Sequence, residues 1–99
     1  MVRHIVIWDL DENLNLEQKK DNALKIKNEL ENLNGIIEGL KSLKVEIDLL
    51  PSSNCDIALN SLFESAEALA NYQVHPEHKR MNDFIKSVTQ NRRCVDYNE

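Results

Sequence analysis

The chain opens with apolar and polar residues in alternation and then changes period. Residues 2–10, Val-Arg-His-Ile-Val-Ile-Trp-Asp-Leu, are rich in β-branched and aromatic side chains and predict a strand. Alternation puts Val2, His4, Val6 and Trp8 on one face and Arg3, Ile5, Ile7 and Asp9 on the other. Both faces carry apolar side chains, so both are expected to be covered. Over residues 15–33 the period becomes helical. Ala23, Ile26, Leu30, Leu33 and Ile37 recur every three or four positions as one apolar stripe. Asn15 with Gln18 resembles a capping box, and Gly35 after Asn34 is a C-terminal stop.

Alternation returns over residues 40–49, where Leu43, Val45, Ile47 and Leu49 interleave with Lys44, Glu46 and Asp48. Pro51-Ser-Ser-Asn54 is a turn, and residues 55–63 predict a third strand with Ile57, Leu59 and Phe63 on one side. Ser65 is an N-cap for a short helix from Ala66 to Gln73. His75-Pro76 breaks that helix, and Pro76 starts another that runs to Val88 with Met81, Phe84, Ile85 and Val88 inward. Residues 92–97 predict the last strand.

The order is β-α-β-β-α-β with the second helix broken, which is the ferredoxin-like split unit in the α+β class. It gives a four-stranded antiparallel sheet with helices on one face only. The helices cannot cover both faces of the first strand. A second copy of the same sheet is the economical cover, so the expected partner is a homodimer mate bound through the sheet face.

Size and charge sharpen this picture. Ninety-nine residues with 41% hydrophobic and 29% charged side chains is ordinary globular composition, read as one domain over residues 1–99. A core this small is marginal, and association is a common remedy. No apolar run approaches the ~18–20 residues of a membrane helix, and the N-terminal apolar stretch is too short for a signal peptide. A cytoplasmic protein without membrane contact is expected. Net charge is −5, and the basic doublets Lys19-Lys20, Lys79-Arg80 and Arg92-Arg93 are short and scattered, which argues against nucleic acid. Cys55 and Cys94 are expected as buried, inert thiols of a reducing compartment.

The chain resembles the stress-responsive A/B barrel (Dabb) family of the dimeric α+β barrel superfamily. The resemblance rests on Val2-Arg-His-Ile-Val-Ile-Trp8, on Phe63 through Tyr72 to His75-Pro-Glu-His78, and on Val95-Asp-Tyr97. It implies a homodimer in which two sheets close a barrel with helices outside. A plant branch of the family catalyses an intramolecular aldol ring closure of a polyketide. That branch carries a base-type histidine at a position matching His78, a tyrosine matching Tyr72 and a strand histidine matching His4. Two features depart from it. A further cyclase histidine falls near Ile57, and residues 15–40 contain no aromatic side chain to match a tyrosine of its first helix.

The residues themselves leave two readings open. His78 falls in the first turn of a helix, where the positive end of the dipole favours a neutral imidazole able to take a proton from carbon beside a carbonyl. The plainer reading is a turn histidine bonded to backbone. Tyr72 is either an oxyanion donor or a packed ring with its hydroxyl satisfied locally. His4 gains interest only on the helix side; otherwise it is a satisfied core residue. His75 has a capping role. His75, Glu77 and His78 lack the i, i+4 spacing of a helical metal pair, so no metal is expected. No Gly-rich phosphate loop or nucleophile elbow occurs, and no cofactor is expected. The first function reading is a non-catalytic homodimer, stress-related or binding a small apolar ligand. The alternative is a cofactor-free lyase or cyclase acting on an apolar, carbonyl-bearing substrate, with His78 as base, Tyr72 as oxyanion donor and His4 in support. A cavity between sheet and helices separates them, because an enzyme needs one.

Covering both faces of the first strand predicts a dimeric mass by light scattering at micromolar protein. Ile5→Asp or Ile7→Asp places an uncompensated charge on a covered face and disrupts the dimer or the fold. Unchanged mass together with an unchanged melting temperature contradicts that placement.

Overall fold

The expected strand at the start is observed as β1 (Val2–Leu10), whose residues alternate strictly between buried and half-buried. The computed structural model describes residues 1–99. α1 (Leu16–Glu31) follows, with a complete capping box: the Asn15 side chain accepts from the Gln18 backbone, and Gln18 accepts from the Asn15 backbone. β2 (Leu40–Glu46), β3 (Ile57–Phe63), α2 (Ala66–Val74), α3 (Pro76–Val88) and β4 (Thr89–Asn98) complete the order. The four strands form one antiparallel sheet in the order β2-β3-β1-β4, with the three helices beside it, as a ferredoxin-like fold requires.

The core lies between sheet and helices. Val2, Val6 and Trp8 of β1, Leu43 and Val45 of β2, and Ile57, Leu59 and Phe63 of β3 are all buried on that side. The stripe Ala23, Ile26, Leu30, Leu33 and Ile37 meets them from α1 and the turn after it. Met81 and Ile85 of α3 are buried, while Phe84 and Val88 pack at the core edge, Phe84 with the Lys25 ammonium 4.2 Å from its ring centre. Gly39 sits at φ +83° where α2 crosses close. A Cβ there would lie 2.6 Å from Ala68 Cβ, so only glycine fits.

The opposite face of the sheet has no helix on it. Cross-strand pairs Arg3↔Tyr97, Ile5↔Val95 and Ile7↔Arg93 share that face, as do Ile5↔Asn60 and Arg3↔Leu62. Val95 and Tyr97 are exposed there, and Ile5 and Ile7 are half-buried.

Three strand boundaries differ from expectation by two residues or more. β2 stops at Glu46 instead of residue 49, because the chain turns away at Leu50–Ser53 and leaves residues 47–49 without a partner strand. β3 starts at Ile57 instead of residue 55. Asp56 is held by β1 alone: its backbone N–H donates to Trp8, and its carboxylate accepts from the Leu10 N–H at 2.8 Å. Cys55 is therefore half-buried in the loop before the strand, and Cys94 is exposed on an edge strand; neither is the buried thiol expected.

The third difference carries the most consequence. β4 begins at Thr89, not at residue 92, because it contains a bulge. Thr89 pairs with Leu10 and Gln90 with Asp9, but the ladder resumes with Arg93 opposite Ile7. Asn91 and Arg92 together oppose Trp8. Asn91 adopts φ 57°, and its side-chain amide donates to Asp9 at 2.9 Å. One extra residue reverses the faces of everything after it. Without the bulge Asp96 would stand on the open face; with it, Asp96 pairs with His4 on the helix side.

Asn91→Gly keeps the left-handed conformation and leaves the melting temperature near wild type. Asn91→Val strains it and costs about 1–3 kcal/mol. Denaturant unfolding of the two variants measures this, and equal stability for both contradicts the bulge assignment.

Candidate functional site

The joint between α2 and α3 arises from two adjacent residues. Pro76 lacks an N–H and keeps His75 out of the helical region; His75 is extended at φ −64°, ψ 135°. His75 closes α2 through its backbone N–H, which donates to the Tyr72 carbonyl at 3.1 Å. It opens α3 through Nδ1, which accepts from the Glu77 N–H at 3.1 Å. This is the capping role expected of it. Tyr72 thus lies in the last turn of α2 and His78 in the first turn of α3, and their ring centres stand 4.2 Å apart.

Tyr72 is buried, with Phe63 of β3 5.1 Å away and His4 of β1 6.4 Å away, ring centre to ring centre. His4 points to the helix side and is also buried. All three sequence candidates line one cavity of about 290 Å3 between sheet and helices, walled by Val6, Trp8, Leu30, Leu59 and Ile85. Gln73, Asn82, Lys86 and Arg92 complete its lining. The interior is not filled, and the volume stands at the lower end of small-molecule sites.

The nitrogen chemistry can be assigned from partners. His4 Nδ1 hydrogen-bonds the Asp96 carboxylate directly across the β1–β4 ladder. A carboxylate only accepts, so Nδ1 carries the proton and Nε2 is left as the second ring nitrogen. The backbone behind His4 is held as well, because the buried Ser61 hydroxyl donates to its carbonyl at 2.9 Å. His78 is different: its Nδ1 is buried with no hydrogen-bond partner. Burial pushes its pKa below the ordinary 6.5, helped by the Arg92 guanidinium; the Gln73 backbone works the other way and loses. Burial also pushes the Tyr72 phenol well above its ordinary 10, although Arg92 pulls it down, so the hydroxyl keeps its proton as a donor.

Sequence reasoning missed Asp96 and Arg92 as parts of the site. Their side of β4 depends on the Asn91 bulge, which a period-2 reading cannot contain. Ile57, the position of the further cyclase histidine, is fully buried in the core and does not line the cavity. α1 contributes only Leu30 to the lining.

The same fold recurs in known proteins. A dimeric protein of unknown function with a ferredoxin-like fold from Bacteroides fragilis is 28% identical, covers 99% of this chain and 95% of its own, and superposes with a TM-score of 0.91. A Dabb family protein from Mesorhizobium loti is 19% identical, with 99% and 95% coverage and a TM-score of 0.75. A hydroxynitrile lyase from Passiflora edulis is 22% identical, with 97% and 90% coverage and a TM-score of 0.74. No curated protein matches the sequence. The model of the stress responsive A/B barrel domain matches residues 2–99, and the chain belongs to that family, Dabb.

Proposed function

We propose that this protein is a homodimer whose sheet–helix cavity binds a small, largely apolar carbonyl compound and moves a proton on it without a cofactor. The convergence of Tyr72, His78 and His4 on one cavity carries this reading. Neutral His78 takes a proton from the carbon beside the carbonyl. The Tyr72 hydroxyl donates to the oxygen on which negative charge develops. His4, held by Asp96, presents a fixed acceptor nitrogen that orients the reacting molecule. The unpartnered His78 nitrogen fits a group kept ready for a ligand, since an orphaned buried polar atom costs about 1–3 kcal/mol. A fold shared with a hydroxynitrile lyase is compatible with such chemistry but does not specify it.

The dimer reading rests on the uncovered sheet face with Ile5, Ile7, Val95 and Tyr97, and on the dimeric description of the Bacteroides fragilis relative. No helix is long and apolar enough to cross a membrane, and the two free thiols suit a reducing, cytoplasmic setting. Binding without turnover is the second reading, favoured by the lack of any aromatic side chain over residues 15–40, which leaves Leu30 as the one contribution of α1 to the cavity.

Deuterium uptake from D2O into the carbons beside the carbonyl of 4-phenyl-2-butanone, followed by proton NMR, tests the reaction. His78→Ala is expected to slow uptake by about 10²–10⁴ and Tyr72→Phe by about 10². No uptake above buffer, with ligand-induced shifts at His78, leaves binding alone; no shifts at all overturn the cavity reading.

The depressed His78 pKa gives a second expectation. Its NMR titration midpoint lies below 6.5, and uptake is flat near pH 7 and falls on the acid side with that same midpoint. In the unfolded chain His78 protonates near 6.5 while the native ring resists. This residue's contribution to stability is therefore complete above 6.5 and declines as pH falls from there toward the folded value. His78→Gln removes that part of the pH slope, and an unchanged slope contradicts the assignment.

A further inference from the structure

The charge around the cavity is opposite in sign to the charge of the chain. Seventeen acidic residues outnumber twelve basic ones, yet no carboxylate lines the cavity, and that of Asp96 lies behind His4, bonded to its Nδ1. Two cations line it: Lys86 of α3 and Arg92 of β4, both exposed at the mouth. Neither takes part in any ion pair, so both charges are free to meet a ligand. Lys86 has a structural use, because it stands in the last turn of α3 near the negative end of the helix. Arg92 has none. It occupies the bulge opposite Trp8, where the extra residue in β4 brings it to the cavity, and its positive charge is felt at both Tyr72 and His78.

We infer that the molecule bound in this cavity is an anion: a carbonyl compound with an apolar body and a carboxylate, the carboxylate held at the mouth by Arg92 with Lys86 beside it. The inference rests on the cavity reading above and adds the charge of the substrate class. The geometry divides the labour. Apolar walls take the body, His78 and Tyr72 face the reacting carbonyl, and the guanidinium, with its planar fork of donors, takes the carboxylate at the opening. A cavity of about 290 Å3 holds roughly ten waters' worth of volume, which suits one ring and a short chain with the charged end at the rim. The same guanidinium favours enolate character near Tyr72 and attracts an anion to a protein that otherwise repels it.

The test is NMR titration of the full chain with 4-oxo-4-phenylbutanoate and with its neutral amide. At low ionic strength the acid binds about tenfold or more tightly than the amide, and the ratio shrinks as salt is raised. Arg92→Gln weakens acid binding about tenfold and leaves the amide within about twofold, while Arg92→Lys restores part of the preference. Arg92 is exposed, so these variants fold, and their melting temperatures verify it. Acid and amide binding equally, or Arg92→Gln weakening both alike, overturns the anion inference while the cavity reading stands. If neither compound shifts the His78 and Tyr72 resonances, both fall.

Discussion

A single inserted residue in the edge strand decides which side chains meet at the cavity of this protein. β-Strands present alternate residues to opposite faces, so one extra residue exchanges the two faces downstream. At Asn91 the chain makes that exchange, and the left-handed backbone and the bond to Asp9 hold it in place. Asp96 then meets His4 and Arg92 reaches the cavity, while Val95 and Tyr97 join Ile5 on the open face. Take the bulge away and the carboxylate that fixes the His4 tautomer moves to the wrong side of the sheet, and Val95 takes its place opposite His4. The site and the uncovered face are thus two products of one register.

The second device is the interrupted helix. A continuous helix through residues 66–88 would place Tyr72 and His78 six residues apart, nearly two turns along the axis and on different faces. The His75-Pro76 joint replaces that geometry with two helix ends meeting at an angle, and the rings approach to 4.2 Å. His78 gains burial first, and then the Arg92 guanidinium and the positive end of α3, all of which disfavour its protonation. Tyr72 gains burial, which disfavours its ionisation. One group is held as a neutral acceptor and its neighbour as a neutral donor, and that pairing suits proton transfer at a carbonyl near neutral pH.

Cavity and open face lie on opposite sides of the same two strands. His4 faces the cavity while its neighbours Arg3 and Ile5 face outward, and Asp96 lies between Val95 and Tyr97. Whatever covers the open face also stiffens the ladder that holds the His4–Asp96 pair. A small protein with a single thin core gains in two ways from such a cover: apolar surface leaves water, and the edge strand β4 loses freedom to fray.

By itself the sequence determined the element order, the division of β1 into two faces, the inward stripes of α1 and β3 and the helix break at Pro76. These follow from local rules: side-chain periodicity, capping preferences and the missing N–H of proline, each of which acts within a few residues. The grouping of His4, Tyr72 and His78 came instead from the resemblance to the Dabb family. Tertiary structure alone decided where β2 stops and β3 starts, that Cys94 is exposed, that Asp96 partners His4, and that Arg92 stands at a cavity lined by no carboxylate. The placement of Asp96 and Arg92 depends on the register between β1 and β4, strands more than 75 residues apart in the chain, and on a bulge whose residue is an unremarkable asparagine. Pairing register is a property of two strands together, and no period within either strand encodes it.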